Sequence, residues 1–201
     1  LFPNAGPERG ERPFLYDMQG DRPIRVILRS SVEPQNALGC WDIRTVPFDP
    51  KIQAGDRLMF RTKAVATVAR NIGRETRGKP QDVVVATWMS LPDERRKVLS
   101  HDDVADVAAL EWLERQGSRS GFSIANQDLV VQRYEQVRFR KPGAPRGGDD
   151  IRFGYLELCG ELVVTDPSDF RRMLFLGLGR ERGFGFGMVH VARAKEARSA
   201  A

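Results

Sequence analysis

Cysteine and histidine are scarce in this chain of 201 residues, and their scarcity disfavours several kinds of site. The two cysteines, Cys40 and Cys159, stand far apart without a C-x-x-C motif, so the sequence indicates neither a disulfide framework nor a zinc site. The two histidines, His101 and His190, are not paired, and no Asp/Glu pair at metal-ligand spacing stands out in the sequence. We therefore predict a protein without a metal ion or a small-molecule cofactor, in a reducing, cytoplasmic compartment.

Long apolar runs and lysines are also scarce. No apolar run approaches the roughly 20 residues of a membrane-spanning helix, and the sequence opens without a signal-peptide pattern, so we predict no membrane partner. Only six of the 32 basic residues are lysines, and the rest are arginines. Arginine binds phosphates and base edges through paired hydrogen bonds, so the bias favours a nucleic-acid partner. The alternative is an arginine-rich genome composition.

The basic residues are clustered rather than spread evenly. Residues 61–79, 133–146 and 171–182 together hold fifteen basic residues and only three acidic ones. A solvated surface rarely needs that imbalance three times, so the clustering favours binding of a polyanion.

A glycine-rich loop near the end of the chain is its most distinctive motif. Residues 177–187 contain five glycines, which leave backbone amides uncovered beside the charges of Arg180 and Arg182. This pattern predicts a cradle for a phosphate backbone. A Walker loop or a dinucleotide-binding turn would follow a strand and open a helix, whereas this loop follows a predicted helix and precedes a strand. The alternative is a tight connection between that helix and that strand.

The first half of the chain predicts strands. An alternating strand is expected at 57–63, where Leu58 and Phe60 share one face, and a buried strand is expected at 83–88. The polar stretch at 91–103 is the candidate domain boundary.

The second half predicts a helix, a long hairpin, a second helix and a last strand. The first helix has an apolar stripe that includes Trp112 and ends at Gly117, and the second begins at Asp166. The order from the hairpin onward is half of a ferredoxin-like unit. We therefore predict an α+β protein with two domains, residues 1–97 and residues 98–201.

The hairpin has a basic tip. Strands at 129–139 and 151–164 flank a turn that contains Arg140, Lys141 and Arg146. Apolar packing gives no reason for this turn to protrude. The functional interpretation is a finger that enters the groove of a helical nucleic acid, and the alternative is an ordinary mobile loop.

Several segments resemble one known family, the CRISPR-associated endoribonucleases of type I-E systems, called CasE. The resemblance covers nearly the whole chain, through Leu1–Asn4, Gly55–Arg61, Gly78–Lys79, Ala109–Leu113, Phe153–Asp166 and 177–189. The last is the most specific, because Arg182 falls where the family has a lysine or an arginine. Val65 and Ala66 replace the family's usual Asn-Pro pair, so no role is carried onto them.

The resemblance implies a function. Family members cut precursor CRISPR RNA at the 3′ base of each repeat hairpin by metal-independent acid–base chemistry, and they stay bound as a subunit of the Cascade complex. It implies two tandem ferredoxin-like (RRM-like) domains that hold the RNA stem across a cleft. The family's catalytic histidine lies on a helix just before the segment matched by Leu1–Asn4. We therefore expect it upstream of Leu1, with the first domain incomplete at its N-terminus.

Candidate RNA-binding residues come from the basic clusters and the glycine-rich loop, and Arg182 is also the candidate stabiliser of the scissile phosphate. They are Arg61, Lys63, Lys79, Arg138, Arg140, Lys141, Arg146, Gly177, Gly179, Arg180, Arg182, Gly183 and Gly185. No catalytic residue is assigned within this chain, since His101 and His190 are expected to be structural.

Two other functions remain open. A non-catalytic RNA-binding structural subunit would use the same basic clusters. A platform for single-stranded RNA needs exposed aromatic side chains on its central strands. Only Phe153 and Tyr155 are evident candidates, and both are expected to lie in the core.

Overall fold

The computed structural model describes residues 14–20, 22–69, 78–140 and 150–194, so the segment Leu1–Asn4 lies outside the described residues. The strands are β1 (Phe14–Gln19), β2 (Arg25–Ser30), β3 (Arg57–Ala64), β4 (Thr67–Ala69), β5 (Pro80–Asp82), β6 (Phe122–Ser123), β7 (Leu129–Phe139), β8 (Ile151–Val164) and β9 (Val189–Arg193). The helices are α1 (Val83–Met89), α2 (Asp93–Arg96), α3 (Asp102–Ser120) and α4 (Pro167–Leu176). Within these residues no helix has both the length and the apolar character needed to cross a membrane.

Strand β3 gives its sheet two different faces. Leu58 and Phe60 are buried, each 5% exposed, whereas the alternate residues Met59, Arg61 and Lys63 point to the other side and are exposed or partly exposed. Successive side chains of a strand point to opposite faces, so the sequence alternation is sufficient to create one apolar and one polar face. The strand predicted at 57–63 is confirmed.

β3 lies at the centre of an antiparallel sheet. It pairs with β8 on one side and with β9 on the other, while β7 and β6 both pair with β8. With α3 between β3 and β7, and α4 between β8 and β9, this is the βαββαβ arrangement of a ferredoxin-like unit. The α+β class predicted from the sequence is confirmed. The division into residues 1–97 and 98–201 stays a prediction, and a unit confined to 98–201 would lack its central strand.

Helices α3 and α4 cover the apolar face of the sheet. Trp112 of α3 and Phe170 of α4 are 1% and 0% exposed, and the ring of Phe170 meets that of Phe122 edge to face at 6.2 Å. Burying such side chains contributes about 2–3 kcal/mol each. The carboxylate of Asp166 accepts hydrogen bonds from the amides of Ser168 and Asp169, at 2.8 and 2.9 Å, so the predicted start of α4 is confirmed.

The strand expected at 83–88 is wrong, because these residues form α1. The carboxylate of Asp82 accepts hydrogen bonds from the amides of Val84 and Val85, at 2.8 and 3.3 Å, and thereby caps a helix. Three valines in succession favour a strand only weakly, and a cap together with burial of Val83 and Val84 outweighs that preference.

The helix end expected at Gly117 is also wrong, since α3 continues to Ser120. Gly121, with φ of 68°, ends the helix in the left-handed conformation. Gly117 has a different role, because a Cβ there would lie 2.4 Å from the carbonyl oxygen of Phe122. It allows the chain after the helix to approach closely.

The hairpin of β1 and β2 is fastened against the end of α4 and the glycine-rich loop. The hydroxyl of Tyr16 donates to the carbonyl oxygen of Gly183 at 2.8 Å. The guanidinium of Arg29 donates to the carbonyl oxygens of Leu174 and Val189 and lies 4.2 Å from the centre of the Phe48 ring. Burial lowers the pKa of Arg29 to about 10, so it stays charged at neutral pH.

Candidate nucleic-acid interface

The side of the main sheet that faces away from α3 and α4 carries charged and aromatic side chains, and we call it the open face. Strand register places the following residues on it: Arg57, Met59, Arg61 and Lys63 of β3; Arg133 and Glu135 of β7; Phe153, Tyr155 and Glu157 of β8; and His190 of β9. The open face therefore gathers residues that are up to 133 positions apart in the chain, from 57 to 190.

Arg61 and Lys63 are the cations at its centre. Their side chains are 53% and 38% exposed. The nearest carboxylate oxygens, of Asp17 for Arg61 and of Glu157 for Lys63, are both 4.0 Å away, which is too far for a hydrogen bond. A cavity of about 240 Å³ lies beside them and is also lined by Gln19. Two neighbouring cations that lie beside a cavity and are not hydrogen bonded to a carboxylate can bind a phosphate group.

Asp17 and His190 form a pair that joins the β1–β2 hairpin to the open face. Nε2 of His190 lies 2.9 Å from Oδ2 of Asp17, and the amide nitrogen of Gln19 donates to the same oxygen at 2.9 Å. Asp17 is only 5% exposed. His190 is evident in the sequence as one of two histidines, but its pairing with Asp17 is not, because the two residues are 173 positions apart and no local pattern links them.

The environment of Asp17 favours its ionised form. Burial by itself would raise the pKa of Asp17, but hydrogen bonds from His190 and Gln19 and the positive charges of His190 and Lys63 outweigh burial. The pKa therefore lies below its ordinary value of 3.8. Asp17 thus remains a carboxylate that orients His190, the cross-strand partner of Arg61.

Replacing Asp17 with asparagine is expected to lower the free energy of unfolding at pH 7 by about 1.5–3 kcal/mol, the range for hydrogen bonds to a charged group. Because the pKa of Asp17 is lowered by folding, its contribution is complete above its ordinary value of 3.8 and disappears as the pH falls through the lowered value. Urea denaturation at several pH values measures this.

The control variant for this measurement is Asp42→Asn, since Asp42 is 81% exposed and pairs only with Arg44 among the contacts described. It should change stability little at any pH. A loss for Asp17→Asn that does not diminish with acid would contradict the ionic role of Asp17.

The glycine-rich loop is compact and bonded to its surroundings. The amides of Leu178, Arg180 and Gly187 donate to the carbonyl oxygens of Gly187, Val65 and Lys63 respectively. A Cβ at Gly179 would lie 2.7 Å from the oxygen of Val65, and both Gly179 and Gly187 have positive φ. These three amides therefore hold the helix-to-strand connection together and do not face a ligand.

Gly177, Gly183 and Gly185 also have structural contacts. Gly177 has a φ of 77°, and its amide donates to the carbonyl oxygen of Met173 in α4. A Cβ at Gly185 would lie 3.0 Å from the ring of Tyr16. The loop is thus the tight helix-to-strand connection that the sequence left open as an alternative. Phosphate binding by its backbone stays a prediction.

Arg180 and Arg182 are both exposed on this loop. The guanidinium of Arg182 donates to the carbonyl oxygen of Leu176, in the last turn of α4. A cation stabilises the partial negative charge at a helix C-terminus, so Arg182 has a structural role in this arrangement. Its contact with a scissile phosphate stays a prediction.

The described part of the basic hairpin is held by an acidic residue. Arg138 and Arg140 both form ion pairs with Asp150 across the hairpin. Lys141 and Arg146 lie outside the described residues. Lys79 is exposed immediately before β5. RNA binding by this group stays a prediction.

His101 packs among aromatic rings. Its ring meets those of Trp88 and Tyr134 edge to face at 5.1 and 6.2 Å. The hydroxyl of Tyr134 donates to Asp82 at 3.2 Å, so His101 belongs to the packing between α1, α3 and β7. That His101 has no catalytic role stays a prediction.

The sequence profile of the family described as CRISPR associated protein matches residues 1–193 of this chain. No match was found among curated protein sequences. Solved structures, however, share the fold.

Three solved structures illustrate this likeness. A CRISPR endoribonuclease Cse3 bound to a 19-nucleotide RNA gives a TM-score of 0.64 at 22% identity, over 89% of this chain and 79% of that one. The CRISPR-associated protein Cas6e from Escherichia coli K-12 gives 0.53 at 18% identity, over 96% and 87%. A chain of a CRISPR RNA-guided surveillance complex before nicking gives 0.59 at 17% identity, over 94% and 83%. At these identities the likeness shows a common fold, in agreement with the predicted fold class.

Proposed function

The chain belongs to the family of CRISPR associated proteins, and from this premise we propose that it is an endoribonuclease of CRISPR RNA processing. It binds the repeat hairpin of precursor CRISPR RNA, and cleavage follows at the 3′ base of the hairpin. It then stays bound as a subunit of the Cascade surveillance complex. The observation that carries the proposal is the fold shared with an RNA-bound CRISPR endoribonuclease over 89% of this chain.

The open face supplies the binding chemistry. Arg61 and Lys63 project from adjacent outward positions of β3, and successive outward positions are roughly 7 Å apart along a strand, close to the spacing of phosphates along RNA. The Asp17–His190 pair holds the β1–β2 hairpin against this face, beside the cavity that Arg61 and Lys63 line. The cations therefore meet the RNA backbone without reorganisation of the protein.

Cleavage requires three groups. A base removes the proton of the 2′-hydroxyl, the 2′-oxygen attacks the phosphorus, and an acid protonates the departing 5′-oxygen. Positive charge on the phosphate stabilises the transition state, and Arg182 is the candidate for that role. The products carry a 2′,3′-cyclic phosphate and a 5′-hydroxyl. No residue of this chain is assigned as the acid or the base, and the resemblance implies a catalytic histidine upstream of Leu1.

RNA binding provides the first test. The chain is expected to bind a repeat hairpin more tightly than an unstructured RNA of equal length, with affinity that falls steeply as salt rises, because bound cations displace counterions from phosphates. Filter binding at several salt concentrations measures both. Equal affinity for the two RNAs at physiological salt would contradict recognition of a stem.

Cleavage provides the second test. Residues 1–201 are expected to bind the hairpin without cleaving it, and a form that includes the expected upstream histidine is expected to cleave in the presence of EDTA. Chemical mapping of the product ends should detect the 2′,3′-cyclic phosphate. Binding without cleavage in both forms would favour the non-catalytic structural subunit. Cleavage by residues 1–201 that is lost on changing His190 or His101 would contradict the catalytic assignment.

A further inference from the structure

Four aromatic side chains gather on the open face beside the glycine-rich loop. Phe153 and Tyr155 come from β8, and Phe184 and Phe186 come from the loop. The centre of the Phe153 ring lies 6.2 Å from that of Phe184 and 5.4 Å from that of Phe186, and the rings of Tyr155 and Phe186 are 5.1 Å apart. These four rings are one continuous aromatic surface, and we call it the aromatic platform.

The platform does not belong to the hydrophobic core. The buried cluster beneath α3 and α4 contains Trp112, Phe122 and Phe170, but none of the four platform rings. Phe184 is 48% exposed. The sequence expectation that Phe153 and Tyr155 lie in the core is therefore wrong, because their parity on β8 directs them to the side away from the helices. Phe153, Tyr155 and Phe186 are partly buried and Phe184 is exposed, so the rings together leave an aromatic edge in contact with solvent, which favours a binding role.

Polar groups border the platform. The hydroxyl of Tyr155 donates to the carboxylate of Glu135 at 2.7 Å, and the guanidinium of Arg133 lies 3.2 Å from the same carboxylate. A guanidinium and a carboxylate at the edge of aromatic rings can satisfy the donors and acceptors of a nucleobase and its phosphate. The side chain of Lys63 follows on the same face, since its strand partner Glu157 is two residues from Tyr155.

We propose that the aromatic platform stacks an unpaired nucleobase of RNA next to the hairpin that the open face holds. Phe153 and Tyr155 lie on β8, a central strand of the ferredoxin-like unit, where the related RRM fold stacks bases on aromatic side chains. Bases inside a stem already stack on one another, whereas an unpaired nucleotide beside the stem has both faces free to stack on the platform. The inference rests on the proposed function and adds a recognition element to it.

Phe184→Ala is the main test. Three RNAs are compared: a hairpin with unpaired nucleotides on both sides, the same hairpin without them, and a single-stranded oligonucleotide. Loss of one stacking ring should weaken binding of the flanked hairpin by about tenfold and leave the bare hairpin unchanged. A fluorescent 2-aminopurine placed in the flanking segment should be quenched by the parent protein and not by the variant.

Three further variants test for indirect effects. Phe175→Ala is the matched control, because Phe175 is 45% exposed and lies on α4 outside the platform. It should bind all three RNAs like the parent. Tyr155→Leu should weaken binding of the flanked hairpin as Phe184→Ala does. Tyr155→Phe keeps the ring and should bind the flanked hairpin like the parent.

The contrary outcomes are distinct. Equal loss on flanked and bare hairpins, or no quenching of 2-aminopurine by the parent, would overturn the platform. Failure of the parent to prefer a hairpin over unstructured RNA would overturn the proposed function instead. In that event, the single-stranded oligonucleotide still tests the platform, since Phe184→Ala should weaken its binding by about tenfold as well.

Discussion

Replacing Arg61 and Lys63 together with alanine is expected to weaken binding of a repeat hairpin by about 100-fold, roughly tenfold for each lost phosphate contact. Both side chains point from β3 to the open face, and neither is hydrogen bonded to the carboxylate 4.0 Å away, so their charge is available to RNA. The slope of log affinity against log salt should become shallower by about two units, because two phosphates lose their partners. Titrations at several salt concentrations measure both quantities.

A matched control removes the same two charges elsewhere. Arg44 and Lys51 are 88% and 82% exposed and pair with Asp42 and Asp49 on an extended segment. Alanine at both positions changes the net charge equally but should weaken binding by less than about threefold. If both double variants lost the same affinity, the RNA would be responding to net charge, and the open face would not be its specific site.

Replacing Gly187 with alanine is expected to lower the free energy of unfolding by about 3 kcal/mol or more. Its φ of 85° is unfavourable for a residue with a side chain, which by itself costs about 1–3 kcal/mol. In addition, the new Cβ would lie 2.4 Å from the carbonyl oxygen of Leu178, a residue whose amide donates a hydrogen bond to the carbonyl oxygen of Gly187 itself. Urea denaturation of the parent and the variant measures the difference.

Gly55→Ala separates the two contributions. Gly55 has a similar φ of 87°, but a Cβ there meets nothing within 4 Å. It should lose only the conformational part, about 1–3 kcal/mol, and therefore less than Gly187→Ala. Equal losses for the two variants would show that the close approach of Gly187 to Leu178 has no energetic weight. The Gly187 variant should also lose RNA affinity even where it remains folded, because the displaced loop carries Arg180 and Arg182.

Local patterns were enough to predict several elements. The alternation from Leu58 to Lys63 specified a strand with one apolar face, because the side-chain period of a strand is two. Asp166 and Pro167 specified the start of α4, since a cap and a fixed φ act within one turn. The glycine-rich loop between a helix and a strand was also evident from sequence, as was the concentration of cations at Arg61 and Lys63.

Other features could not be predicted from local patterns, because they depend on competing structural preferences or on contacts between residues that are far apart in the chain. The valines from Val83 to Val85 favour a strand by propensity, but the cap from Asp82 and burial against α3 decide for a helix. Which face of β8 carries Phe153 and Tyr155 depends on where α3 and α4 pack, and the sequence of the strand alone is compatible with either side.

The sequence by itself determined the strand and helix boundaries that rest on neighbouring residues. It also determined the clustering of basic residues and the likeness to one family. Only the tertiary structure decided which distant groups meet. It placed β3 between β8 and β9, brought Asp17 to His190 across 173 positions, and joined Phe184 and Phe186 to the rings of β8. The physical reason is that propensities and caps act over a few residues, whereas strand pairing and burial act between surfaces whose positions exist only in the folded chain.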